Sequence, residues 1–130
     1  GDIAGAGLRV LVVDDNVDAA NTMAMLLEAA GYRVTVAHDP QEALTRAQTD
    51  AFDACLLDIG LPGMDGHELA TRLRALPATA SALLLAVTGY GQPEATQAGT
   101  SAFDAYLLKP ADPVQLFALL VQRANSDGRL

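Results

Sequence analysis

Apolar runs recur along the chain, and a polar residue closes each of the four that carry chemistry. Val10-Leu11-Val12-Val13 ends at Asp14 and Asp15, and Ala54-Cys55-Leu56-Leu57 ends at Asp58. Leu83-Leu84-Leu85-Ala86-Val87 ends at Thr88, and Tyr106-Leu107-Leu108 ends at Lys109. Helix-like segments separate these runs, and strand and helix alternate five times. Such alternation predicts an α/β domain with a parallel sheet. Runs this continuous in apolar residues fit strands covered by helices on both faces. Strands are expected at Arg9–Val13, Arg33–Ala37, Ala54–Leu57, Leu83–Val87 and Ala105–Leu108.

The first helix starts at a cap, Asn16 or Asp18, and stops at Gly31. Its apolar stripe is Val17, Ala20, Met23, Ala24, Leu27 and Ala30, which leaves Met25 as an apolar residue on the polar arc. The second and fifth helices open at Asp39-Pro40 and Asp112-Pro113, a cap followed by proline at the first helical position. The third begins near Asp65-Gly66, runs to Leu76, and is ended by Pro77. The fifth is given a core face of Val114, Phe117, Leu120, Val121 and Ala124. The fourth starts at Pro93 and is short, because Gly99, Thr100 and Ser101 are poor helix residues.

In an open parallel sheet the strand carboxyl ends share one edge, and ligands bind there. Residues distant in sequence therefore meet: three carboxylates (Asp14, Asp15, Asp58), the Thr88 hydroxyl and the Lys109 ammonium. Three like charges repel, and a divalent cation offsets them most simply. Oxygen-only ligands in a partly hydrated site favour Mg²⁺, with Mn²⁺ as a substitute. A carboxylate at Asp58, before the glycine- and proline-rich stretch Ile59 to Gly66, is placed to attack phosphorus and form an acyl phosphate.

Composition narrows the partners. The 130 residues carry a net charge of −8, which disfavours nucleic acid and anionic membrane surfaces. No apolar run approaches the roughly 20 residues of a transmembrane helix. The start, residues 1–7, lacks a basic region and reads as a linker or boundary, not a signal peptide. Residues 8–125 read as one domain and 126–130 as a tail, leaving no DNA-binding output domain after Leu130. The single cysteine, Cys55, falls inside an apolar strand and suggests a reducing, cytoplasmic setting.

These motifs resemble the receiver domain of two-component response regulators. The carriers are Val12-Val13-Asp14-Asp15-Asn16, Leu57-Asp58-Ile59-Gly60-Leu61-Pro62-Gly63-Met64-Asp65-Gly66, Ala86-Val87-Thr88-Gly89 and Leu108-Lys109-Pro110, and the likeness runs from about Leu8 to Ala124. It implies a flavodoxin-like, doubly wound sheet in order 2-1-3-4-5 with five helices, the fourth short. It also implies that Asp58 accepts a phosphoryl group from a phosphohistidine on a histidine kinase or histidine phosphotransfer domain. Asp15 would bind Mg²⁺ directly, Asp14 largely through water, and the Gly60 carbonyl would complete the ligands. Lys109 would pair with the acceptor and then with the phosphoryl group. Thr88 would turn toward that group and Tyr106 inward behind it, switching the surface of the fourth helix, fifth strand and fifth helix. Thr88 and Lys109 stand 21 positions apart, shorter than the family spacing, and the shortfall lies in Ala98 to Ala102. The finer pattern is similar to receivers fused to sensor histidine kinases. The chain is thus expected to be an acceptor, not an enzyme, with its oligomeric state open.

Two other classes are weighed against this one. A Mg²⁺-dependent phosphohydrolase with an aspartate nucleophile wants a second acid two residues on, where this chain has Gly60. A flavin- or nucleotide-binding module needs a phosphate-cradling loop after the first strand, where Asp14-Asp15-Asn16 is acidic and lacks glycine.

Overall fold

Strands form where the apolar runs sit: β1 (Arg9–Val13), β2 (Arg33–Ala37), β3 (Ala54–Asp58), β4 (Leu83–Thr88) and β5 (Ala105–Leu108). A computed structural model describes residues 8–58, 66–88, 103–108 and 113–127 of the chain. Its helices are α1 (Val17–Ala29), α2 (Pro40–Thr49), α3 (Gly66–Arg74) and α4 (Pro113–Asp127). The segment expected as a short fourth helix near Pro93 lies outside the described residues, so α4 is the helix expected fifth. All the strands pair in parallel, in the order β2-β1-β3-β4-β5.

The sheet separates two cores. Leu11, Val13, Cys55, Leu57, Leu84 and Ala86 pack with Ala43, Leu44 and Ala47 of α2 and Leu69, Ala70 and Leu73 of α3. Val10, Val12, Leu56, Leu85 and Leu107 pack on the other face with Ala20 and Leu27 of α1 and Leu116 and Leu120 of α4. This alternation within continuously apolar strands is what two helical layers require. Two strands run one residue further than expected, to Asp58 and Thr88. The ladder carries them on: Asp58 pairs with Val87, and Thr88 with Leu108.

Local signals fix the helix ends. The Asn16 side chain caps α1 by accepting from the Ala19 amide at 3.0 Å. The helix closes in a Schellman turn, with Tyr32 N–H on Leu27 O and Gly31 N–H on Glu28 O. Gly31 there has φ 101°, where a Cβ would clash. In α2, Asp39 Oδ1 accepts from the Glu42 amide at 2.7 Å while Glu42 Oε1 reaches back to the His38 amide at 3.0 Å.

Three expectations need correction. Val17 is not part of the buried stripe of α1: it is 51% exposed, and the buried positions are Ala20, Ala24 and Leu27. Val114 is 76% exposed, and Leu116 takes its place in the core with Leu120. Leu116 and Leu120, four apart, share one face of α4, and Val114, two positions before Leu116, falls on nearly the opposite side. Finally, α3 stops at Arg74, not Leu76. Ala75 and Leu76 donate to the carbonyls three residues back, a tightened last turn. The buried Thr79 hydroxyl then donates to Leu73 O at 2.5 Å.

The expected buried cysteine is present. Cys55 is 0% exposed, and burial pushes its thiol up to about 12 against a weaker lowering by the Arg74 charge. An unfolded thiol titrates near pH 8.5. The unfolded chain therefore loses this proton first, and stability falls as pH rises from about 9 to 12. The native protein at about pH 8 is expected to resist a disulfide reagent that labels the urea-unfolded chain at once. Equal labelling rates in the two states would show the thiol to be accessible.

Candidate functional site

The chain runs from β1 outward to β2, then returns to place β3 on the other side of β1. The switch point of the topology is thus the crevice between β1 and β3, beyond their carboxyl ends. Val13 and Leu57 are Cα partners across it, so the residues that follow, Asp14 and Asp58, emerge side by side.

Asp14, Asp15 and Asp58 each present a carboxylate oxygen, and these oxygens all lie within 4.8 Å of one another. The three differ in setting: Asp58 is 6% exposed, Asp14 half-buried and Asp15 exposed. Asp14 is tied to the backbone on both sides. Its amide donates to Ala37 O at 3.1 Å, and its Oδ1 accepts from the Asn16 amide at 3.0 Å.

The spacing suits a small hard cation. At Mg²⁺–oxygen distances near 2.1 Å, octahedral ligand oxygens sit about 3 Å apart when adjacent and about 4.2 Å apart when opposite. Separations of up to 4.8 Å therefore accept such an ion with one carboxylate reaching it through water.

Behind the cluster a groove of about 720 Å³ opens along α1, floored by Val12, Leu56 and Val87 and walled by Ala19, Met23 and Leu26. Asp14 and Asp58 stand at its mouth. Helix α1 exposes Val17, Met25 and Leu26, at 51%, 68% and 40%, and of these Leu26 lines the groove.

The other expected site residues divide. Gly60 and Lys109 lie outside the described residues. The backbone of Thr88 ends β4 on the same sheet edge as Asp58. Tyr106 is half-buried on the edge strand β5, packed on the α2 and α3 face against Phe103. It is not among the residues lining the groove.

One residue escaped the sequence reading. His38 follows β2, and its Nδ1 lies 3.2 Å from Asp14 O. A carbonyl only accepts, so Nδ1 carries the proton, and the ring steadies the backbone beneath Asp14. The strand-end rule that singled out the other residues would also have found it, since β2 ends at Ala37.

The response regulator receiver domain family matches residues 10–121 of this chain. The chain belongs to that family. As a receiver domain of two-component signalling, it is 38% identical over 118 residues to an uncharacterised 14.6 kDa protein of Leptolyngbya boryana, covering 90% of each. It is 36% identical over 121 residues to the gliding motility regulatory protein of Myxococcus xanthus, covering 92% of this chain and 16% of that protein. This receiver thus spans nearly all of one relative and a small fraction of another.

Solved structures agree. The chemotaxis response regulator CheY4 of Vibrio cholerae superposes with a TM-score of 0.80 at 31% identity, covering 91% of this chain and 99% of that one. The receiver domain of the sensor histidine kinase PA1611 from Pseudomonas aeruginosa, solved with magnesium coordinated in its active-site cleft, gives 0.78 at 31% identity, covering 90% and 97%.

Proposed function

We propose that this receiver takes a phosphoryl group from a phosphohistidine onto Asp58. The observation that carries the reading is the carboxylate trio at the switch point, with Asp58 the buried member. An Asp58 carboxylate oxygen attacks phosphorus, the phosphorus–nitrogen bond breaks, and its electron pair returns to the imidazole. Mg²⁺, the ion seen in the related receiver of PA1611, would offset charge on the phosphoryl oxygens when bound. Asp15 fits a direct ligand and Asp14 one acting through water, with the Gly60 carbonyl completing the set.

Thr88 would offer its hydroxyl, and Lys109 its ammonium, to the phosphoryl oxygens. Tyr106 would turn inward behind Thr88 and carry the change to the surface around β5 and α4. The protein acts as an acceptor in a relay and turns over no separate substrate. Residues 8–125 would form this unit, with 1–7 and 126–130 as linker and tail.

The partner would be a histidine kinase or histidine phosphotransfer domain, presenting its histidine from a helix. The apolar groove beside the carboxylates, with Val17 and Met25 exposed along α1, supports that reading. A C-terminal position in a hybrid sensor histidine kinase fits both this surface and the similarity to PA1611. Among the described residues no helix is long and apolar enough to cross a membrane. A cytoplasmic site of action follows from such a partner. Val17→Asp combined with Met25→Asp is expected to slow phosphotransfer from the kinase roughly tenfold or more, leaving the reaction with acetyl phosphate unchanged. Equal kinase-dependent rates would move the docking surface elsewhere.

The direct test uses acetyl phosphate. With Mg²⁺, intact mass is expected to rise by one phosphoryl group, and with a chelator it should not change. Unmodified mass in Mg²⁺ would overturn the reading.

A further inference from the structure

Phe103 and Tyr106 meet where a regular strand would keep them apart. Successive side chains alternate faces along a strand, so residues three apart point to opposite sides. Standing straight off an extended backbone, these rings would also be about 10 Å apart. Instead both pack into the α2 and α3 core, edge to face, with centroids 5.6 Å apart and planes at 60°.

A pinned bend makes this contact. Asp104 donates its amide to Leu84 O at 2.7 Å. Its Oδ2 accepts from the Leu84 amide at 2.8 Å and pairs with Arg74 Nη2 at 2.6 Å. Arg74 is itself tied to Ala80 O and Ala82 O, at 3.1 and 2.6 Å. The chain is therefore clamped to β4 and α3 just before β5 begins, and Phe103, 8% exposed, packs in the core next to this anchor. Tyr106 leans toward this fixed ring at the amino end of β5, away from the edge that carries Asp58.

We infer that Phe103 is a positioning residue that holds Tyr106 in its resting orientation and so opposes occupancy of the phosphoryl site. The inference rests on the proposed inward turn of Tyr106. An edge-to-face pair is a modest force beyond the area it buries, and it acts only while the rings touch. Any ligand that needs Tyr106 turned inward must break it, and its affinity falls by the population held back. The clamp matters because a seat able to move with Tyr106 would resist nothing.

The test is beryllofluoride with Mg²⁺, titrated into the full chain carrying 3-fluorotyrosine. The chain has three tyrosines, and Tyr106→Phe assigns the Tyr106 resonance. In Phe103→Leu the half-saturating concentration is expected to fall roughly threefold to tenfold. The unliganded Tyr106 resonance should shift toward its beryllofluoride-bound position. Phe103→Tyr, which keeps the ring, should titrate like the wild type. Lost packing alone would lower thermal stability without moving that resonance or tightening binding. Should Phe103→Leu not fold, Phe103→Met carries the same comparison. Wild-type binding with an unchanged half-saturation point in the variant would overturn the inference and leave the phosphoacceptor reading intact. Absence of any wild-type binding would overturn both.

Discussion

An Asp58→Asn variant is expected to take up no phosphoryl group from acetyl phosphate in Mg²⁺, while its circular dichroism matches the parent. The amide has nearly the shape of the carboxylate, so the packing around this 6%-exposed side chain survives. What disappears is the nucleophile, since an amide oxygen does not form a stable acyl phosphate. Asp15→Asn makes the informative contrast. It keeps the acceptor and removes an exposed carboxylate from the trio. Phosphorylation should persist there, slowed roughly a hundredfold, because one source of charge stabilisation is lost and the attacking group remains. Incorporation by Asp58→Asn at the parental rate would place the acceptor elsewhere.

The second large effect is on stability. Mg²⁺ at about a hundredfold over its dissociation constant is expected to stabilise the fold by ~2.7 kcal/mol, raising Tm by about 10 °C. The carboxylate oxygens, all within 4.8 Å of one another, repel in the metal-free protein, and the ion converts that repulsion into attraction. In Asp15→Asn the shift should nearly vanish. The metal-free Tm of that variant should equal or exceed the parental value, because one of the crowded charges has gone. Differential scanning calorimetry with Mg²⁺ and with a chelator reads both. An equal Mg²⁺ response in parent and variant would show the stabilising ion to bind away from the trio.

Much of this was legible in the sequence because two simple rules act independently. Buried parallel strands must be continuously apolar, which located β1, β3 and β4, while the alternation of strand and helix placed the half-exposed β2. Chains leaving such strands at one edge bring their next residues together, which grouped Asp14, Asp15 and Asp58. Capping chemistry located helix starts for the same local reason, as Asn16 and Asp39 show. What sequence missed depends on tertiary geometry. Val17 adjoins the buried stripe but opens its helix exposed, and Val114 falls on the side of its helix away from Leu116 and Leu120. The end of α3 was set by Arg74 reaching Ala82 O in the following loop and by Thr79 of that loop reaching back to Leu73 O, contacts that no periodicity announces. The contact of Phe103 with Tyr106 violates alternation and needed the bend at Asp104 to be seen.

Asp58 closes a strand that is buried along its whole length, with a paired strand on either side. Amides in such a strand exchange with solvent only when most of the domain opens. The proposed acceptor carboxylate is therefore anchored in the slowest-exchanging part of the molecule, whereas Asp15 is exposed. Heat or denaturant should thus displace the exposed Asp15, proposed as a direct ligand, before it disturbs Asp58. Near its unfolding midpoint the protein would pass first through a form that keeps the Asp58 geometry and has lost its grip on Mg²⁺.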